Sequence, residues 1–187
     1  MDHETRYRDL LEQGLQASRD QRGAAAIELF ALASDVAPAE GMPHFLMASE
    51  HAAEGRTEAA ERAFANAVLL APGFHLARYQ LGLLQFSSER AGAALVTWQP
   101  LLDLPAGQPL GHFVRGFAAL ARDGFGAALD EFRLGLACSE GQPALAADIE
   151  RVVAAVQKLA PPADGSPPPA DAAAGHVLLS AYARGLH

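Results

Sequence analysis

The chain has 187 residues, half of them apolar and 19% charged, with a formal net charge of −8. That is enough apolar material for a packed core, too little charge for global disorder, and the wrong sign for nucleic acid or an anionic membrane surface. Alanine is the commonest residue and aromatics are only 7%, which favours thin layers of closely packed helices over a sheet or one deep core.

From the N-terminus, MDHETRYRDLLEQ carries no apolar core of a secretory leader, and no later stretch approaches the uninterrupted apolar length of a membrane span. A soluble, cytoplasmic protein is the expectation. The single cysteine, Cys138, cannot form an internal disulfide or a thiolate zinc site.

Beyond the first six positions the chain repeats itself without gaps over four equal windows, 7–40, 41–74, 75–108 and 109–142. One column reads Gly14, Ala48, Gly82, Gly116; a second reads Ala26, Ala60, Ala94, Ala128; a third reads Phe30, Phe64, Trp98, Phe132. The third column draws on a rare residue class, so chance does not explain it. Each window predicts two helices whose small residues let the backbones approach, with an aromatic one turn beyond the second small residue filling the gap beside that contact. Polar turns divide the helices at residues 20–23, 54–55, 87–88 and 123–124. Pro38, Pro72, Pro105 and Pro143, with nearby glycines, punctuate the unit ends.

Residues 143–160 predict a capping helix, with Leu145, Ile149, Val152, Val153, Val156 and Leu159 on one stripe, opened by Pro143 and stopped by Pro161 and Pro162. Residues 161–171 hold five prolines and read as a semi-rigid linker. Residues 172–187 predict a short amphipathic helix with Leu178, Leu179, Tyr182 and Leu186 in one quadrant. Docked on the repeats of its own molecule, it would act as a plug; docked on a neighbour, it would drive self-association.

The small, aromatic and Pro positions of the repeating unit resemble the tetratricopeptide repeat, most fully in the second window through Ala48, Gly55, Ala60, Phe64, Ala67 and Pro72. The first window matches at Gly14, Ala26, Phe30, Ala33 and Pro38, and the last two drift. The resemblance implies an all-α, right-handed solenoid of four helix–turn–helix repeats, closed by the capping helix and followed by the tail helix. It also implies that the first helix of each repeat lines a concave surface where partners bind.

Carried over by phase, that surface takes Met42, Phe45 and Leu46 from the second window. Leu76, Tyr79, Leu83 and Phe86 come from the third, and Leu110, Phe113, Val114, Phe117 and Leu120 from the fourth. The first window is more polar at these phases, with Arg8, Leu11, Glu12, Leu15, Ser18 and Arg19, so the groove is made by the other three. These residues make an apolar groove suited to a partner's amphipathic helix or apolar peptide. Members that clamp a C-terminal carboxylate use Lys, Arg and Asn on this face, whereas Asn66, on a second helix, is the sole Asn here and Lys158, outside the repeats, the sole Lys.

The seven histidines offer no i,i+4 pair for chelation from one helix, so no metal and no cofactor are expected. No phosphate loop, nucleophile elbow or His–carboxylate cluster is present in the sequence, and no enzyme is expected. Pro100 should kink or end the helix that holds it. The functional expectation is a protein-binding adaptor or scaffold, and the compact, Ala- and Arg-rich chain suggests a bacterial source. A secretion-type chaperone for an apolar client and a self-assembling structural subunit of a larger complex are the alternatives.

Overall fold

Small side chains let helices touch nearly backbone to backbone, and the computed structural model of the protein is built on that contact. It describes residues 2–159, and every regular element among them is helical. In order they are α1 (His3–Arg19), α2 (Gly23–Val36), α3 (Gly41–Ala53), α4 (Thr57–Leu70), α5 (His75–Ser87), α6 (Ala91–Leu102), α7 (Pro109–Leu120), α8 (Phe125–Ala137) and α9 (Pro143–Leu159). The linker at 161–171 and the segment 172–187, with Leu178, Leu179, Tyr182 and Leu186, lie outside the described residues. The chain divides within α5 into two compact units, one ending at Leu84 and the other starting at Gln85.

In the first unit, α1 packs on α2 and α3 on α4. Gly14 of α1 faces the ring of Phe30 on α2 so closely that a Cβ on the glycine would lie 2.4 Å from Phe30 Cε1. Ala17, Ala26 and Phe30 form the core of this hairpin. In the next hairpin, Ala48 is fully buried beside Ala60, Ala63, Phe64 and Leu81. Gly41 begins α3 against the backbone of α4, where a Cβ would stand 2.7 Å from the Ala67 carbonyl oxygen.

The second unit repeats the device with larger residues. A Cβ on Gly116 of α7 would lie 2.4 Å from Phe132 Cε1 on α8, and one on Gly135 would lie 2.4 Å from Phe113 Cε1. Phe117 joins Phe86 (centroids 5.3 Å apart), Trp98 (5.4 Å, stacked) and Phe132 (5.1 Å, edge-on) in one ring cluster. Pro100, tenth of the twelve residues of α6, does not end the helix at once, which continues through Leu102. The last helix, α9, buries Leu145, Ile149, Val152 and Val156 and packs on α8. No helix among the described residues is long and apolar enough to cross a membrane.

The backbone carries the repeat as clearly as the side chains do. Gln21, Gly55, Glu89 and Asp123, each one full period after the last, all have positive φ, between 57° and 70°. The next residue in each turn donates its N–H five residues back, from Arg22 to Ala17 (2.9 Å), Arg56 to His51 (2.8 Å), Arg90 to Gln85 (3.0 Å) and Gly124 to Ala119 (3.0 Å). This is a Schellman closure, which satisfies the last carbonyls of the first helix and turns the chain into the second. Glycine is the favoured residue at the left-handed position, and here only one turn in four uses it.

The close contacts can be checked by substitution. Gly116→Ala should destabilise by ~1–3 kcal/mol, because the new Cβ meets the Phe132 ring. Gly126, whose Cβ would meet nothing within 4 Å, should accept Ala with a gain of up to ~1 kcal/mol. Urea unfolding distinguishes the two, and equal effects would contradict the contact described. Separately, Gln21→Gly should raise stability by roughly 0.5–1 kcal/mol by relieving a left-handed non-glycine residue at an exposed turn, measurable in the same assay.

Candidate functional site

Apolar surface left uncovered on rigid helices is where a partner can dock, and the first unit retains such a strip. On α1, Leu11, Leu15 and Ser18 recur at helical spacing on one side; on α3, Met42, Leu46 and Glu50 do the same. Ser18 Oγ donates to Glu50 Oε1 at 2.5 Å, which sets these two sides next to each other. Leu11 and Leu46 are half-buried against the Ala17–Ala26–Phe30 cluster. Leu15 and Met42 remain 38% and 40% exposed. Glu12, three residues before Leu15, is exposed at the edge, and Glu50 closes one end of the strip.

The residues expected in the groove divide sharply. Phe45 is half-buried and packs its ring on Phe64 (5.8 Å) and Phe74 (4.8 Å). Leu46 and Leu76 are half-buried in the first unit, as Leu110 is in the second. Tyr79 and Leu83 are buried, and so are Val114 and Leu120. Phe86, Phe113 and Phe117, expected on an open concave face, are instead turned into the interior of the second unit, at 5%, 0% and 1% exposure.

The physical reason is space. Gly135 opens a slot on α8 that Phe113 fills, and Phe117 completes the cluster of Phe86, Trp98 and Phe132. Gly135 is the signal in the sequence: a small residue on the second helix marks where a ring from the first will sit. Phase alone places Leu15 and Met42 on the inner face, and only their exposure separates them from the buried residues there.

A polar knot in the second unit absorbs two residues at phases where an apolar side chain is usual. His112 is buried; its Nε2 donates to the Ala106 carbonyl (2.9 Å), and its Nδ1 lies 2.8 Å from Glu131 Oε2 and 3.0 Å from Arg115 Nη2. Arg115 donates from Nε to the same Glu131 oxygen (3.1 Å) and from Nη1 to the Leu102 carbonyl (3.1 Å). The end of α6, the turn after it, α7 and α8 are thereby joined by side-chain hydrogen bonds. Burial pushes the Glu131 carboxyl up, but the hydrogen bonds and charges of His112 and Arg115 outweigh it and hold it below the usual carboxylate range. Both ring nitrogens of His112 and the Nε and Nη1 of Arg115 are engaged within the unit, so the knot reads as structural. His44 and His51 on α3 are both lowered by burial, His51 also by Arg56. No group of three His, Cys, Asp or Glu suited to a metal occurs among the described residues.

No protein-family model matches the chain, and no curated protein matches it either. Among solved structures it is similar to the crystal structure of MamA, at 19% sequence identity, over 74% of this chain and 81% of that one, with a TM-score of 0.59. The likeness is one of fold: an all-helical chain built from repeated helix pairs.

The lowered Glu131 carboxyl gives a signed prediction. A carboxyl held down in the folded state stabilises at pH values above its unfolded value, and that contribution disappears as the pH falls through the folded one. Glu131→Gln should therefore be less stable than the parent at neutral pH and should lose less stability on acidification. Chemical unfolding across that range checks it; parallel pH curves for the two proteins would show that the knot contributes nothing.

Proposed function

We propose that the chain is a non-enzymatic protein-binding scaffold that takes the apolar face of a partner helix or extended peptide on the α1/α3 strip of its first unit. The observation that carries this reading is the pair of exposed residues, Leu15 and Met42, lying beside half-buried Leu11 and Leu46 on helices braced by the Ser18–Glu50 hydrogen bond. The strip is preformed, so a partner need not order it on binding. The helical-repeat fold supports the reading, because such folds present extended surfaces made from successive first helices.

The chemistry also bounds the affinity. Fully burying a Leu or Met contributes ~1.5–3 kcal/mol, and Leu15 and Met42 are already more than half covered. The strip alone therefore supplies a few kcal/mol, which suits weak and reversible binding unless further contacts are recruited.

A labelled synthetic amphipathic helix of Leu and Arg, followed by fluorescence anisotropy, tests the proposal. Leu15→Glu and Met42→Glu should each weaken its binding at least tenfold while leaving the melting temperature within a few degrees of the parent. Leu134→Glu, which alters an exposed leucine on α8, should leave binding unchanged. If all three variants bind alike, the strip is not the docking surface.

A further inference from the structure

The carboxylates around the strip narrow the class of partner that fits it. Residues 1–84 of the first unit hold twelve Asp and Glu against seven Arg, a net −5. Two contacts fix how α1 and α3 run. At one end, Ser18 Oγ donates to Glu50 Oε1 at 2.5 Å. At the other, burial raises the Tyr7 phenol, and the nearby carboxylates of Glu40 and Glu4 raise it further. Tyr7 and Ser18 stand eleven residues apart on α1; Glu40, just before α3, and Glu50 on it stand ten apart. The two helices therefore lie side by side in the same direction, with a carboxylate at each end of the strip, about 15 Å from one another along α3.

The cations near the strip do not cancel these end charges. Arg8 is paired with Glu4 at 2.7 Å and Arg22 with Asp20 at 3.1 Å, and Arg56 is paired with Glu54. Arg19 donates from Nε (3.3 Å) and Nη2 (2.9 Å) to Gln16 Oε1, which draws it round α1 into a depression it shares with Asp9 and Glu12. That edge therefore stays acidic. His44 and His51 of α3 are both lowered by burial and add no positive charge at neutral pH. Glu40 is exposed and Glu50 half-buried, and neither forms an ion pair among the described residues.

We infer that the partner is a helix with Arg or Lys at i and i+11 bracketing its apolar face, so that the face lies on Leu15, Met42 and Leu46 while one cation meets Glu40 and the other Glu50. This rests on the strip being the docking surface proposed above. Eleven residues advance a helix by ~16 Å and return to nearly the same face, which matches the span between the two carboxylates. Apolar residues between the cations at helical spacing supply the contact with the strip. The two ion pairs face solvent and are screened by salt, so they sort partners by charge rather than providing most of the affinity. A helix with Asp or Glu at the same two places is repelled by the same groups.

The test uses the full chain and labelled synthetic helices that share one Leu face and differ only in Arg, Gln or Glu at i and i+11, followed by fluorescence anisotropy. At low salt the Arg helix should bind about fivefold more tightly than the Gln helix, and the Glu helix more weakly than either. The differences should shrink to less than about twofold near ~0.5 M NaCl. An isomer with its two Arg at i and i+4 reaches only one of the carboxylates and should bind about twofold more tightly than the Gln helix. In Glu40→Gln/Glu50→Gln, where the amide at 50 still accepts from Ser18, the Arg and Gln helices should bind alike. Equal binding of the three helices to the parent, tighter binding of the Glu helix, an i, i+4 isomer as tight as the i, i+11 helix, or a preference that survives in the double variant would overturn the inference. If the three helices bind alike but Met42→Glu still weakens the Gln helix at least tenfold, only this inference falls. If Met42→Glu leaves the Gln helix unaffected, the docking-surface reading falls with it.

Discussion

The contact between a glycine on one helix and an aromatic ring on the next is the constraint from which the rest follows. In both units it has the same dimension, with Gly14 against Phe30 and Gly116 against Phe132, each leaving 2.4 Å where a Cβ would have to fit. So short a distance sets how near the paired helices lie, and it admits no side chain at the glycine. Because the ring follows the glycine at the same separation in both cases, the length of the intervening turn is set as well. The period of the repeat is thus a packing requirement rather than a compositional habit.

The turn inside each unit shows what that requirement costs locally. A left-handed residue is needed to swing the second helix back onto the first, and it recurs at Gln21, Gly55, Glu89 and Asp123. Three of the four accept a strained conformation of order ~1 kcal/mol without the residue best suited to it. The Schellman hydrogen bonds and the packing on either side hold the turn regardless of the side chain placed there. Tertiary contact overrides local preference at these points, which is why residue types locate the turns but not the left-handed position within them.

Much of the architecture was legible for the same reason that it is stable. The small and aromatic columns are the contacts themselves, so reading them amounts to reading the packing. The capping stripe of α9 followed from simple helical spacing. The candidate site was less legible, because a phase carried over from a resemblance says which side of a helix a residue occupies but not whether something covers it. Phe113 and Phe117 occupy the expected phases, yet Gly135 and the rings of Trp98 and Phe132 draw them inward. The His112–Arg115–Glu131 knot joins residues 16 and 19 positions apart across two helices. No local pattern encodes that distance.

A core and a binding surface compete for the same scarce residues in an aromatic-poor chain. Eight of the twelve aromatics among the described residues are buried, including Trp98 and every ring of the second unit's cluster. Rings are the strongest anchors available to an interface, but here most are already committed to holding helices together. The strip on α1 and α3 is accordingly made of Leu and Met, which bury less area per residue and accommodate varied shapes. On the docking role proposed above, such a surface would favour reversible exchange over tight recognition of one partner.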